Sequence, residues 1–322
     1  MTVTSETKKR SRFVIEQRNE PYRITDGNLA ILALLQRYRY LPTAYIHALV
    51  GGGETHTKTI LTKLRHEAGL IDARWAGHNA LYQQAVYFLT RKGEDYLKGR
   101  GLYFHREKTG AEFHHELMVC LTRASFELGA KEHGLELLGA QDILNDLDCP
   151  VRTRHLKQPF VMPVEFEYQH QKQKHQVKTT VEPDGEFFAL SKRVDDGRVL
   201  FYFPGFEADR RTEPLEPEDY DRPSIKKKFL AYRQLARERA YQDRFGIESF
   251  VVPFITINEA HMHALMRVLE NVTNGKGSTL FIFKAIPNFA AFDKFPKPGG
   301  FMLSEPWKRV GHPDFNILDE LR

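Results

Sequence analysis

Three observations in the amino-acid sequence predict an α/β fold, which is α+β when the whole chain is considered. Apolar residues recur at helical spacing before residue 70, and two strand-like runs follow them. Beyond residue 160, strand-like runs alternate with helical stretches, which is typical of layered α/β domains. The length of 322 residues suits two domains. We place them at residues 21–100 and 110–286, after a flexible basic arm over 1–20 and before an irregular tail over 287–322.

Three helices open the first domain. Thr25 or Asp26 can cap the first helix, since either side chain accepts a hydrogen bond from a free backbone N–H group. Pro42 suits the first turn of the second helix, which the glycines at 51–53 end. The third helix is predicted over residues 54–69, where a glycine stops it.

The third helix has two unlike faces. One face is apolar, and we expect it to pack in the core: Ile60, Leu61, Leu64 and Ala68. The opposite face carries short hydroxyls, lysines and His66, which we expect to lie at the surface. Such a face fits the major groove of double-stranded DNA, because hydroxyl and ammonium groups contact phosphates and base edges. The residues predicted to bind nucleic acid are Thr55, Lys58, Thr59, Thr62 and Lys63, with Arg74 on the segment that follows.

A β-hairpin is predicted over residues 70–89, with a turn at Gly77–Asn79 that places Arg74 near phosphate. Thr90 then caps a short last helix. Three helices and a hairpin in this order resemble the winged helix-turn-helix domain, and the run YFLTRKGEDYL resembles its wing end and following helix. The resemblance implies binding of double-stranded DNA. Contact with a protein partner is the alternative for such a domain.

The second domain mixes helices and strands. A long amphipathic helix starts near Glu112, and four strand-like runs fill residues 160–207, with a hairpin turn at Asp195–Gly197. A helix, a strand, a helix and a strand are then predicted at about residues 224–244, 249–257, 258–271 and 278–286. In the first of these helices, a stripe of core-facing residues is formed by Ile225, Phe229, Tyr232 and Ala236.

Carboxylates mark two strand ends of this domain. Asp184 lies in a Glu-Pro-Asp-Gly run between two strands, and Glu207 and Asp209 lie at the end of a third. If these strands are neighbours, the carboxylates converge, and their oxygens are ligands that Mg²⁺ prefers. A bound Mg²⁺ could activate water against a phosphodiester. The alternative is an ordinary turn beside a salt-bridged strand end, for example at a dimer interface.

This order of strands and carboxylates resembles the restriction-endonuclease-like fold, whose motif is Pro-Asp followed by Asp or Glu, any residue, and Lys. Asp209 stands where that motif has lysine, so Lys228 on the next helix is the candidate replacement. The candidate catalytic residues are therefore Asp184, Glu207, Asp209 and Lys228, with Asp184 and Glu207 as the candidate metal ligands. The resemblance leaves open whether the domain cuts DNA.

Together these pieces resemble the replication-relaxation family of bacterial plasmids and other mobile elements. The matching motifs include VEPDGEFFAL, FEADRRTEP, KFLAY and FVVPFITI, and Arg211 in the second motif replaces a small residue. The resemblance implies sequence-specific DNA binding in replication, mobilisation or transcriptional control. We expect the nuclease-like domain to dimerise the protein or to hold further DNA, without cleaving it. A metal-dependent DNA endonuclease or nickase targeted by the winged helix is the alternative.

Composition limits the partners and the location. The formal net charge of +5 favours a polyanionic partner. Apolar runs are too short to cross a bilayer and the chain starts with polar and basic residues, so we expect neither a membrane segment nor a secretory signal. Cys120 and Cys149 are too few for a disulfide framework, which favours the cytoplasm. The expected partners are double-stranded DNA and a second copy of the chain, without a small-molecule cofactor, and with Mg²⁺ only if the domain cuts DNA.

Overall fold

The computed structural model describes residues 22–76, 84–103, 112–170, 173–195, 197–216, 222–292 and 294–321. The fold is mixed α/β, as the sequence predicts. The chain divides into two compact units, one up to Ala124 and one from Ser125 onward. Within the described residues, no helix combines the length and the apolar character that crossing a membrane requires. The predicted arm over 1–20 and the hairpin turn at 77–79 lie outside the described residues.

The first unit contains, in chain order, α1 Asp26–Tyr38, β1 Leu41–Pro42, α2 Thr43–Val50, α3 Glu54–Lys63, β2 Ile71–Ala76, β3 Gln84–Leu89, α4 Arg91–Lys98 and the start of α5 Phe113–Glu132. Thr25 caps α1 by accepting the N–H of Asn28, whose side chain accepts the N–H of Thr25 in return. Thr90 caps α4 by accepting the N–H of Gly93. Both predicted caps are therefore confirmed.

The strands of this unit form a three-stranded antiparallel sheet in the order β1-β3-β2. β2 and β3 form the predicted hairpin. The short β1 pairs with the free side of β3, with Leu41 opposite Tyr87 and Pro42 opposite Val86. The sequence does not reveal β1, because two residues are too few to show an alternating pattern.

The apolar face predicted for the third helix is buried, in α3 and in the π-helical turn of residues 64–68 that continues it. The prediction that His66 lies at the surface is wrong, because its side chain is buried in that turn. A π-helical turn contains more residues than an α-helical turn, so the side chains after Lys63 rotate away from their positions on a regular helix. A helical wheel with uniform spacing therefore misplaces His66.

The second unit continues α5 and adds β4 Glu136–Gly139, α6 Ala140–Asn145, α7 Val151–Arg154, β5 Met162–His170, β6 Gln173–Val181, β7 Phe188–Val194, β8 Gly197–Phe203, β9 Glu207–Asp209, α8 Ile225–Arg237, α9 Ala240–Phe245, β10 Val252–Thr256, α10 Glu259–Val272, β11 Ser278–Ala285, α11 Phe301–Ser304 and β12 Lys308–Val310. The predicted hairpin of β7 and β8 is confirmed, as are the strands β10 and β11 and the helix α10 between them.

The central sheet of the second unit has the order β12-β11-β10-β9, in which β9, β10 and β11 are parallel. A parallel bridge between Tyr202 and Phe250 links β8 to the chain that enters β10. β4 pairs with the β7–β8 hairpin, and β5 pairs with β6. α8 packs its apolar stripe on the sheet, where Phe229 contacts the rings of Phe254 and Phe281. This packing places the first turns of α8 over β9.

The helix predicted over residues 224–244 is two helices, α8 and α9. Arg239 separates them with a φ of 54°, in the left-handed region that ends an α-helix. The sequence shows no glycine or proline at this point, so the break has no local signal.

The prediction that the tail after residue 286 is irregular is wrong for part of its length. β12 pairs with β11 at the edge of the central sheet, and α11 precedes it. Lys284 of β11 binds this segment, since its Nζ donates to the carbonyl oxygens of Phe301 and Glu305, each at 2.9 Å. The same ammonium group lies 4.7 Å from the ring centroid of the buried Trp307. The tail is therefore part of the core of the second unit.

Candidate functional site

The outer face of α3 carries the side chains predicted to bind DNA. Exposed or half-buried on it are Thr55, Lys58, Thr59, Thr62 and Lys63. The hydroxyls of Thr59 and Thr62 donate to helix carbonyl oxygens one turn earlier, both at 2.9 Å. Lys58 Nζ lies 2.7 Å from Glu54 Oε1, in an exposed ion pair that contributes little stability. The face therefore presents ammonium groups and hydroxyl oxygens to solvent.

Arg74 of β2 is exposed, and three aromatic rings hold its guanidinium group. The guanidinium carbon lies 5.4–5.9 Å from the ring centroids of Tyr40, Phe88 and Phe113. The edges of these rings also meet, between Tyr40 and each of the other two. Because a cation above aromatic faces is attracted to them, Arg74 packs the start of α5 against the sheet. The sequence gives no sign of this packing role.

Asp184 lies in the loop between β6 and β7, beside the start of β9. Its Oδ2 accepts the backbone N–H of Ala208 at 2.9 Å. The loop and the chain before β9 approach closely at Gly205, where an added Cβ would lie 2.4 Å from the carbonyl oxygen of Gly185. Gly205 also has a φ of 120°, which residues with a side chain rarely adopt. This crossing brings Asp184 beside Glu207.

The carboxylate of Glu207 is buried, and both of its oxygens accept hydrogen bonds. Lys228 Nζ donates to Oε2 at 2.8 Å, and the hydroxyl of Tyr232 donates to Oε1 at 2.6 Å. Lys228 and Tyr232 are four residues apart, so the same face of α8 presents both to β9. Burial raises the pKa of Glu207 to about 7, while the charge on Lys228 opposes this rise and the charge on Asp184 adds to it.

Lys228 also contacts a second carboxylate. Its Nζ lies 2.9 Å from Oε1 of Glu213, in the segment that follows β9. Burial acts to lower the pKa of Lys228, but the carboxylates of Glu207, Asp184 and Glu213 together raise it well above its ordinary value. Lys228 is therefore a cation among three carboxylates, of which it contacts Glu207 and Glu213 directly.

Asp209 has a different set of partners. Its Oδ2 lies 2.6 Å from Nε2 of His261, and its Oδ1 accepts the N–H of Arg211 at 2.7 Å. The Thr256 hydroxyl donates to the carbonyl oxygen of Asp209 at 2.8 Å. The expected convergence of Asp209 with Asp184 and Glu207 is corrected by these contacts, because they commit its carboxylate to the junction between β9 and α10.

A Mg²⁺ ion held by Asp184 and Glu207 would need carboxylate oxygens that are able to coordinate the ion. In the part of the chain that the structure describes, no three His, Cys, Asp or Glu side chains are grouped so as to hold a metal ion. Both oxygens of Glu207 accept protein hydrogen bonds, and so does one oxygen of Asp184. Since Mg²⁺ demands oxygen ligands in octahedral geometry, the residues in this arrangement do not fit a Mg²⁺ site.

Three partners in these contacts have no functional signal in the sequence. Tyr232 lies on the apolar stripe of α8, and the spacing of that stripe predicts only that Tyr232 packs in the core. Glu213 stands in an acidic, proline-containing segment that is typical of a solvated loop. His261 lies in the first turn of α10, and only the pairing of β9 with β10 brings it to Asp209.

The profile of the replication-relaxation family matches residues 32–250. The matched range includes α3, both strand-end acids, Asp184 and Lys228. No curated protein and no solved structure gives a match. Since the family match extends over more than half of the chain, the protein belongs to the replication-relaxation family.

Proposed function

We propose that the chain binds double-stranded DNA through its first unit, in the replication, mobilisation or transcriptional control of a plasmid or other mobile element. Membership of the replication-relaxation family indicates a role in replication or mobilisation. The observation that carries DNA binding is the sheet order β1-β3-β2 after α1, α2 and α3. A short strand between the first two helices that pairs outside a hairpin is the arrangement of winged helix-turn-helix domains.

In this proposal α3 enters the major groove. Its lysines neutralise phosphates and its threonine hydroxyls bond to phosphates or base edges. A phosphate can replace Glu54 as the partner of Lys58 at little cost, because that ion pair is exposed to solvent. One recognition helix reads few base pairs, so a homodimer on a two-fold symmetric site is part of the proposal.

The second unit is, in the same proposal, a nuclease-like domain that dimerises the protein and does not cleave DNA. Two observations support the absence of cleavage. Glu207 uses both carboxylate oxygens on Lys228 and Tyr232, and Asp209 is bound to His261 where the endonuclease motif has lysine.

The DNA-binding proposal is tested with a fluorescently labelled duplex and the double variant Lys58→Ala, Lys63→Ala. We expect weaker binding, and a slope of log affinity against log salt that is smaller by about 2, since two phosphate contacts are removed. The matched control is Lys131→Ala with Lys276→Ala, because both lysines are exposed and both lie in the second unit. Unchanged affinity in the first variant would exclude α3 from the interface. A wild-type protein that shifts no duplex at low salt would overturn DNA binding altogether.

A metal-dependent endonuclease is the second candidate, because Lys228 lies 2.8 Å from Glu207 and interacts with Asp184. Two acids and a lysine are the residue types of the endonuclease motif. Incubation with supercoiled plasmid in Mg²⁺ or Mn²⁺ separates the two candidates. The main proposal expects a retarded and uncut plasmid, whereas nicking that Asp184→Ala abolishes would establish the endonuclease.

A further inference from the structure

A short acidic segment crosses the start of α8. We call residues 213–216, with the sequence Glu-Pro-Leu-Glu, the acidic strap. Two backbone hydrogen bonds join it to the helix, from the N–H of Ile225 to the carbonyl oxygen of Pro214 and from the N–H of Lys226 to that of Leu215, each at 3.1 Å. Leu215 also packs against the hydrophobic core. The acidic strap is therefore docked on the helix by its main chain.

Both carboxylates of the acidic strap pair with lysines of α8. Glu213 Oε1 lies 2.9 Å from Lys228 Nζ, and Glu216 Oε1 lies 3.2 Å from Lys226 Nζ. The side chains of Lys226 and Lys228 are only 23% and 28% exposed. The acidic strap thus covers part of the positive charge at the start of α8, while Lys228 is also buried through its contact with Glu207 of β9.

The pairing of Glu213 is incomplete. Its second oxygen, Oε2, is buried and has no hydrogen-bond donor among the described residues. A buried acceptor without a donor costs free energy, so this contact is less favourable than a fully satisfied ion pair. An anion that meets Lys228 from solvent can therefore compete with Glu213, because Glu213 regains hydration when it leaves.

We propose that the lysine-rich start of α8 is a second phosphate-binding surface for double-stranded DNA, and that the acidic strap is its internal competitor. The carboxylates of Glu213 and Glu216 stand where phosphate oxygens would meet Lys228 and Lys226. The positive end of the helix dipole favours an anion at the same place. The inference rests on the proposed function only in taking DNA as the polyanion. Its consequence is that the strap limits binding to DNA of arbitrary sequence.

The test is the double variant Glu213→Gln, Glu216→Gln in the full chain, which keeps the side-chain shapes and removes both charges. It is made in the Lys58→Ala, Lys63→Ala background, so that α3 contributes little to binding. Anisotropy of a labelled duplex of arbitrary sequence is expected to show about tenfold tighter binding at low salt, with a salt slope steeper by about 2. Adding Lys226→Ala should reverse part of the gain.

Loss of two acids anywhere raises the net charge, so the control is Glu248→Gln with Glu270→Gln, two exposed acids of the same unit. We expect the control to change affinity by less than about twofold, since among the described residues neither acid forms an ion pair with a lysine of α8. A strap variant that binds no more tightly than the control overturns the inference. So does a gain that Lys226→Ala leaves intact.

Glu216→Gln alone provides a second variant, because it leaves the contact of Glu213 with Lys228 in place. It is expected to give a smaller gain than the double variant, and the absence of any gain in both overturns the inference. Failure of the proposed function is a separate result. If α3 does not bind DNA, the Lys58→Ala, Lys63→Ala protein has the same affinity for the duplex as the wild type. The affinities of the strap variant and the control variant can still be compared, so the inference is tested independently.

Discussion

The imidazole Nε2 of His261 lies 2.6 Å from Oδ2 of Asp209, the last residue of β9. Asp209 also accepts the N–H of Arg211, so its charge serves the junction between β9 and α10. The cation beside Glu207 comes from α8 instead, as Lys228. Of the two acids at this strand end, Glu207 therefore pairs with a lysine, whereas Asp209 holds the junction between β9 and α10.

Placing a lysine at position 209 should not create a nuclease. We expect Asp209→Lys to lose the contact with His261 and to place an unpaired ammonium group in a buried position. This change should lower the free energy of unfolding by about 3 kcal/mol in urea denaturation. Asp209→Asn retains an acceptor for the N–H of Arg211 and should cost about 1 kcal/mol. Plasmid nicking by Asp209→Lys in the presence of Mg²⁺ would contradict this view of the junction.

The stability of the second unit should fall between pH 5 and pH 8 as Glu207 ionises. The pKa of Glu207 in the folded chain is about 7 and lies above its ordinary value, because burial disfavours the charge. The folded form therefore binds this proton more tightly than the unfolded form does. The resulting stabilisation is fully present below the ordinary pKa and is lost as the pH rises through 7.

Glu207→Gln removes this titration and serves as the reference. Urea unfolding at several pH values should show the wild type losing on the order of 3 kcal/mol relative to Glu207→Gln between pH 4.5 and pH 8. A difference between the two proteins that does not change with pH would mean that folding leaves the pKa of Glu207 at its ordinary value.

Gly93→Ala should destabilise the first unit. A Cβ at Gly93 would lie 2.1 Å from the carbonyl oxygen of Leu70, so α4 must move away from the chain that leads into β2. We expect a loss of about 2–3 kcal/mol in the free energy of unfolding. Gly99 is the matched control, because a Cβ there meets its nearest neighbour at 3.6 Å and Gly99→Ala should change stability by less than about 0.5 kcal/mol. Equal effects of the two substitutions would contradict the packing described for α4.

Lys284→Met should loosen the tail of the second unit. Methionine can fill the space of the lysine stem, but it cannot donate to the carbonyl oxygens of Phe301 and Glu305. We expect a loss of about 1–3 kcal/mol in stability and a red shift in the fluorescence of Trp307. The measurement is made with Trp75→Phe, since the chain has 2 tryptophans.

Lys276→Met is the control for this substitution, because Lys276 is exposed and close in sequence to the same strand. It should leave both the fluorescence and the stability unchanged. If Lys284→Met behaves in the same way, the ammonium group does not hold the tail.

Local signals made most of the helices predictable. Thr25, Thr90 and Asn258 each cap a helix at its predicted start, because a cap is a contact within a few residues of chain. β1 and β12 were not predictable, since they have two and three residues and exist only through pairing with distant strands. The burial of His66 was not predictable for a related reason. The sequence gives the average helical period, but it does not show the π-helical turn that departs from this period.

The candidate site was predictable in part. Asp184 and Glu207 each stand at the end of a strand-like run in the sequence, but their proximity depends on the close crossing of two chain segments at Gly205, which no local pattern shows. For Lys228, the apolar stripe of α8 leaves open whether its side chain meets the carboxylates or solvent, and in the structure it lies on Glu207. Tyr232 and His261 depend on which helices pack against β9 and β10, and no local pattern contains that information.

The two residues of β1 pair with a strand that is distant in the sequence, so the first unit cannot form from local contacts alone. Pro42 pairs with Val86, so this contact closes a loop that contains α2, α3 and β2. Contacts between distant positions cost loop-closure entropy, and they form together with the structure that they enclose. The amides of α2 and α3 should therefore exchange with solvent as one block with the hairpin rather than helix by helix. The rigidity of the helix proposed to bind DNA is in this way set by a strand pair that lies outside it.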